Sequence, residues 1–204
     1  FGVYRQQPLP EDRSAVFGNP TLPLARAMHY VLGTGYRWTD SFSTEATVFL
    51  SEQRGLAQRN PVDTPPLAEA LAAIGTGRAY GAQLMARKEL TSRLFGWVSY
   101  SLQRSERVDR PGGPKRLFDF DQTHILTAVA SWSLGAGFEL GGRVRYTSGF
   151  PRTPVTGRFY DTQRDLYQPV FGEHNSIRLP AFFQADVRLS KRWKLSGSDL
   201  EVAL

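Results

Sequence analysis

The chain has 204 residues, of which 41% are hydrophobic, and a formal net charge of +6. It contains no cysteine, which excludes disulfide bridges and thiolate metal sites. No apolar run approaches the roughly 18 residues of a transmembrane helix, so that class of membrane protein is excluded. The arginines are scattered rather than clustered in a basic run, so we expect no nucleic-acid partner.

Alternation of apolar and polar residues with a period of two predicts about nine β-strands. In chain order, they lie at 1–5, 24–38, 42–50, 80–89, 94–105, 122–134, 138–147, 181–189 and 198–204. Several are longer than the five or six residues usual in globular proteins and reach the 9–11 or so that a tilted strand needs to cross a membrane. One helix is predicted at 65–74, after two prolines and before Gly75.

The connections between these strands alternate between short and long. Short turns are predicted at 39–41, 91–93, 135–137 and 196–198, and long polar loops at 6–23, 55–76, 106–121 and 150–178. Strict alternation places all short turns at one end of the strand array and all long loops at the other. This arrangement is typical of outer-membrane barrels. The chain is therefore predicted to be all-β, an antiparallel up-and-down transmembrane β-barrel.

The strand 138–147 shows the two faces of the predicted wall most clearly. Its residues divide into Phe138, Leu140, Val144 and Tyr146 on one face, and Glu139, Arg143 and Arg145 on the other. In a membrane barrel the apolar face contacts outer-membrane lipid and the charged face lines the lumen. A soluble barrel would point its apolar face inward instead. Strand length and loop sorting favour the membrane barrel.

All four tryptophans lie within a few residues of a predicted short turn, and thus at one end of the array. Tryptophan is enriched at membrane–water interfaces, where barrels carry aromatic girdles. We therefore predict an interface girdle of Trp38, Trp132 and Trp193. The parity of Trp97 opposes that of its apolar neighbours, which indicates that this side chain points inward.

Several sequence strings resemble one known family. They are GRAYGAQL at 77–84, GWVSYS at 96–101, YTSGFP at 146–151 and RLPAFFQADVR at 178–188. Together they resemble the C-terminal part of the barrel of TonB-dependent outer-membrane receptors. Such a barrel has about 22 strands, so the resemblance implies that 1–204 is a barrel segment whose plug domain and closing strands lie outside this chain.

The resemblance implies a location in the cell outer membrane and uptake of a small-molecule ligand, such as a siderophore or another nutrient. Its partners would be the receptor's own plug domain and a TonB-type energy-coupling protein. From the residues themselves we expect no cofactor, no metal and no enzymatic activity, with an outer-membrane hydrolase that uses a serine or aspartate beside His124 as a minor alternative. The candidates for contact with ligand or plug in the lumen are Arg87, Glu89, Glu139, Arg143, Arg145, Asp186 and Arg188.

Other interpretations remain open at this point. The lumen charges could simply pair across strands, or Arg143 and Arg145 could bind an anionic ligand or acidic plug residues. A self-contained porin-like or structural barrel would require 1–5 to pair with 198–204. A soluble all-β binding protein would scatter the tryptophans. Asp119, Asp121 and His124 could form a metal site or, more simply, a polar loop.

Overall fold

The computed structural model describes residues 1–62, 65–66, 68–89, 91 and 93–204. Its strands are β1 Gly2–Gln6, β2 Ala25–Thr39, β3 Phe42–Arg59, β4 Leu71–Lys88, β5 Leu94–Val108, β6 Arg116–Leu117, β7 His124–Gly135, β8 Phe138–Thr147, β9 Pro151–Arg152, β10 Val155–Asp161, β11 Leu166–Phe171, β12 Ile177–Arg178, β13 Phe182–Leu195 and β14 Ser198–Ala203. One short 3-10 helix spans Glu11–Arg13. None of the described helical residues forms a segment long and apolar enough to span a bilayer.

Nine of these strands form one antiparallel sheet, in the order β1-β2-β3-β4-β5-β7-β8-β13-β14, with β6 beside β5. Each strand pairs with the next long strand along the chain, so the topology is up-and-down. The predicted all-β, antiparallel class is confirmed. Across the described ranges, β1 and β14 lie at opposite edges and do not pair with each other. The sheet is therefore open, and the ring closure required by a self-contained small barrel is not formed.

The connections follow the predicted rhythm. Strand pairs β2–β3, β7–β8 and β13–β14 are joined by two-residue turns at 40–41, 136–137 and 196–197, whereas long connections cover 7–24, 60–70, 109–123 and 148–181. The predicted turn at 91–93 includes Ser92, which lies outside the described residues. All long connections leave the sheet at one end, because each is separated from the next by one complete hairpin.

The prediction of a helix at 65–74 is wrong, because the described residues of this range form no helix. Leu67 lies outside the described residues. β4 already begins at Leu71, which pairs with Arg59 at the end of β3. The Asn60 side chain then holds the connection by donating a 2.8 Å hydrogen bond to the Glu69 carbonyl oxygen. Cross-strand pairing thus overrides the local proline signal, because strand formation depends on packing against the neighbouring strand more than on local propensity.

The apolar face of the sheet is strongly exposed. Leu32 is 74% and Val187 76% exposed, and the structure describes a single buried hydrophobic residue, Leu22. A soluble barrel would cover such a face, because water-exposed apolar patches of this extent are rare in soluble monomers. The soluble alternative is therefore not supported, and the apolar band fits a lipid-facing wall.

Gly135 ends β7 and Gly137 lies in the β7–β8 turn, and together they provide a matched test of how closely β13 packs on this turn. Both have positive φ, +90° at Gly135 and +81° at Gly137. A Cβ on Gly137 would lie 2.2 Å from the Arg192 carbonyl oxygen, whereas one on Gly135 would meet nothing within 4 Å. The Gly137 carbonyl also accepts the Arg192 N–H at 2.8 Å.

We expect Gly135→Ala to lower the free energy of unfolding by about 1–2 kcal/mol, the cost of a left-handed backbone for an L-residue. Gly137→Ala carries the same cost and a further loss of about 1–3 kcal/mol from overpacking. Denaturant unfolding of the full-length protein in lipid vesicles measures both. Equal losses in the two variants would show that β13 does not pack on this turn.

Candidate functional site

The predicted lumen-facing strand residues share one face of the sheet. One row of directly opposed residues crosses seven strands: Arg37, Ser43, Arg87, Trp97, Val129, Arg143 and Asp186. Glu139, Arg145 and Arg188 have the same parity. Glu89 lies one residue beyond β4, and its backbone N–H donates to the Ser41 carbonyl oxygen at 2.8 Å. It therefore belongs to the short-turn rim rather than to the strand face.

Arg143 and Arg145 are two candidates of the same charge on one strand face, and like Arg87 they form no ion pair within the described residues. Arg143 lies opposite Asp186, and Arg145 opposite Gln184. The Gln184 amide donates to both oxygens of Asp186, at 3.1 and 3.0 Å. Neither arginine forms an ion pair with any residue that the structure describes. This pair presents two guanidinium groups that are available to an anion.

Arg188 differs from Arg143 and Arg145, because its charge is paired with a carboxylate on the neighbouring strand. Its guanidinium contacts Glu201 at 2.8 Å, and Arg192 contacts the same carboxylate at 2.9 Å. Glu139 accepts a 2.6 Å hydrogen bond from the Ser131 hydroxyl. Sequence reasoning missed Glu201 and Arg192. The missed signal is the two-residue turn at 196–197, which places these two residues directly opposite each other.

The tryptophans divide as their parity predicts. Trp132 pairs opposite Leu140 and Trp193 opposite Leu200, both on the apolar face beside short turns. Trp38 lies near the β2–β3 turn and donates a 2.9 Å hydrogen bond to the Thr44 hydroxyl. Trp97 lies opposite Arg87, on the polar face. Three tryptophans thus share one rim, and their role as an interface girdle stays a prediction.

A polar network ties the long connections together at the other end of the sheet. The Asp121 carboxylate is fully buried and contacts the Arg178 guanidinium at 2.5 Å. It also accepts the Ser105 backbone N–H, at 2.5 Å, from the end of β5. Arg178 donates further to the Gly149 carbonyl oxygen at 3.0 Å. Two long connections and one strand are therefore joined at a single buried carboxylate.

A second acidic group, Asp119, lies beside this network. Burial raises the pKa of its carboxyl, but hydrogen bonds from Asn175 and attraction by Arg116 and His174 outweigh burial, so its pKa is lowered. Asn175 donates to Asp119 at 2.6 Å and to the Leu117 carbonyl oxygen at 2.8 Å. The ionised form of Asp119 therefore stabilises the contact between the two connections.

The candidate metal site at Asp119, Asp121 and His124 is not assembled. The Asp121 carboxylate is paired with Arg178, and the Asp119 carboxylate accepts a hydrogen bond from Asn175. The His124 Nδ1 lies 2.8 Å from the Tyr100 hydroxyl. No group of metal-ligating side chains occurs among the described residues. These acids act instead in positioning the connections.

Comparison with known proteins gives one consistent family. A family model described as TonB dependent receptor-like, beta-barrel matches residues 4–204. Among curated proteins, none matches the sequence significantly. Among the solved structures that match, three have 14–15% identity and cover 93–94% of this chain. At that identity they show the fold alone.

The first of these structures is the ferric-catecholate import receptor Fiu from E. coli K12, with 14% identity and a TM-score of 0.66 over 94% of this chain and 26% of that one. The pyoverdine receptor FpvA from Pseudomonas aeruginosa PAO1 has 14% identity and a TM-score of 0.62, over 93% and 26%. The FrpB iron transporter from Neisseria meningitidis has 15% identity and a TM-score of 0.56, over 93% and 27%. The chain thus spans about a quarter of these proteins.

The contribution of the Asp121–Arg178 pair to the stability of the two connections that it joins can be tested. Removing one partner of a buried ion pair leaves the other charge unpaired and typically costs about 3–5 kcal/mol. We expect Arg178→Gln to lower local stability by at least about 2 kcal/mol at the Ser105 and Leu179 amides, measured by hydrogen exchange. The control is Arg164→Gln, because that exposed arginine lies 3.9 Å from Asp161 and its loss should change little. Equal exchange in both variants would contradict the interpretation.

The lowered pKa of Asp119 predicts a pH dependence with a definite sign. Because the pKa is lower in the folded protein, the stabilisation is complete above the ordinary aspartate value of about 4 and is lost as pH falls through the lowered value. Amide exchange at Asn175, corrected for intrinsic rates, should therefore accelerate only on further acidification. Asp119→Asn should abolish this step, while Asp161→Asn should retain it. A step that survives in Asp119→Asn would assign it to another group.

Proposed function

Since the chain belongs to the TonB-dependent receptor β-barrel family, we propose that it forms part of the wall of a receptor that imports a small ligand across the outer membrane. The family match over residues 4–204 carries this proposal. The protein is located in the outer membrane, as its family is, and the exposed apolar face contacts lipid there. The family consists of receptors and transporters rather than enzymes.

In this proposal the polar face lines the lumen, and transport requires a plug domain outside 1–204 and a TonB-type energy-coupling protein. Charged side chains are tolerated in a barrel lumen because the lumen is hydrated or filled by protein. Arg143 and Arg145 make the contact with ligand or plug, because they lie two positions apart on one face of β8 and no ion pair neutralises either of them within the described sheet. Arg188 serves the wall itself, since it is paired with Glu201.

The ligand that fits these residues is an anionic iron chelate or a comparable acidic nutrient. Guanidinium groups bind paired oxygen atoms through two parallel hydrogen bonds, which gives both affinity and orientation. The similar structures support this class, since they are a ferric-catecholate import receptor, a pyoverdine receptor and an iron transporter. The connections joined at Asp121 would hold the entrance in a fixed shape.

Uptake by cells that carry the full-length protein tests the proposal. Iron-starved cells receive radiolabelled iron as catecholate or pyoverdine-type chelates, with and without the TonB-type protein. We expect uptake of at least one chelate that disappears without this protein. The double variant Arg143→Gln/Arg145→Gln should reduce uptake at least about tenfold, because two charge-assisted contacts are removed.

Arg188→Gln is the matched control, because it removes one charge from the same face at a residue already engaged with Glu201. Its uptake should stay within about twofold of the wild type, since Arg192 still neutralises Glu201. Uptake that persists without the energy-coupling protein would contradict active import and favour passive diffusion. Equal uptake by the double variant and the wild type would contradict the role of the two arginines.

A further inference from the structure

Three arginines stand directly opposite one another on the apolar, lipid-facing side of the sheet. The register pairs Arg5 of β1 with Arg26 of β2, and Arg26 with Arg54 of β3. Their parity is that of Met28 and Tyr30, and opposite to that of the lumen candidates. All three are exposed. We call these residues the arginine row.

The arginine row has no counter-charge in the described part of the chain, where none of its members forms an ion pair or a side-chain hydrogen bond. Like charges directly opposite each other on a sheet are destabilising. The neighbouring row shows the contrast, because Glu52, Arg78 and Glu106 alternate in sign across three strands. The neighbouring row therefore contains its own carboxylates, whereas the arginine row contains none.

The position of the arginine row along the membrane normal limits which kind of anion could neutralise it. On β2, the stretch from Trp38 to Tyr30 rises about 20 Å for a strand tilted by about 40°, close to the apolar band of about 25 Å in such barrels. Arg26 lies four residues farther toward the long connections, which adds about 10 Å. The row thus lies at the level of lipid headgroups, directly above the apolar band.

A cavity beside the row adds room and a small excess of basic over acidic side chains. Its volume is about 510 Å³, and its charged lining consists of three basic side chains, Arg54, Arg78 and Lys115, and two carboxylates, Glu52 and Glu106. The Arg78 guanidinium lies 5.6 Å above the Tyr80 ring, at the upper edge of the apolar band. Polar donors and apolar surface therefore meet within one site.

We propose that the arginine row and this cavity bind the phosphate groups of a lipid in the membrane leaflet at the long-connection end. The acyl chains of the lipid lie against the apolar band below, along Leu32, Val48 and Leu50. Guanidinium groups match phosphate oxygens through paired hydrogen bonds, and the bound phosphate relieves the repulsion within the row. Free phosphate would satisfy the arginines but not the apolar band.

Binding by the full-length protein in detergent micelles tests this site. The probes are a phosphorylated glycolipid purified from outer membranes, the same glycolipid after phosphatase treatment, and inorganic phosphate, with native mass spectrometry as the readout. The wild type should bind the phosphorylated glycolipid, whereas Arg26→Gln/Arg54→Gln should bind it at least about tenfold more weakly. Lys88→Gln/Lys191→Gln removes the same charge from the same face at the opposite end and should bind as the wild type does.

Thermal unfolding without lipid provides an independent readout. Because the repulsion is removed, Arg26→Gln/Arg54→Gln should be at least as stable as the wild type in lipid-free detergent, and only the wild type should gain stability when the phosphorylated glycolipid is added. Equal lipid binding by this variant and the wild type, or by the two forms of the glycolipid, would overturn the proposal. Displacement of the lipid by equimolar inorganic phosphate would assign the site to the free anion and also overturn it.

Discussion

A backbone that crosses a bilayer as strands must find a hydrogen-bond partner for every N–H and C=O on a neighbouring strand, because lipid offers none. This constraint organises the whole chain. It joins β2, β3, β4, β5, β7, β8 and β13 in one antiparallel sheet whose register shifts only at local bulges, and that register fixes which side chains share a face. One face becomes apolar for lipid and the other polar. The position of a strand residue in this register decides whether its side chain lies on the apolar or on the polar face.

The same constraint explains which parts of the fold were predictable. Alternation along 138–147 or 181–189 is a local signal, so strand identity and facing were evident from sequence, as was the sorting of connections. Strand ends were not, because they depend on the partner. β3 and β4 continue to Arg59 and from Leu71 by pairing with each other, although the local residues at 65–74 favour a helix. A single strand contains no information about where its neighbour stops.

The candidate site, too, was predictable from the sequence only in part. Parity alone places Arg143 and Arg145 on the polar face, but register and side-chain geometry decide that Asp186 bonds to Gln184 whereas Glu201 binds two arginines. Asp121 and Arg178 are 57 positions apart in sequence, and nothing in either segment identifies the other as its partner. The arginine row is likewise invisible in sequence, because its members lie on three different strands.

The β10–β11 hairpin lies outside the membrane-crossing sheet, so its strands need no further neighbours. It pairs only with itself within the described chain and presents nearly all of its residues to solvent. Since the connection is anchored nearer the sheet, by Arg178 and Asn175, changes in the length or surface of the hairpin do not alter the register of the wall. Natural variants should therefore diverge fastest in this hairpin, because substitutions and insertions there leave the strand pairing of the wall intact.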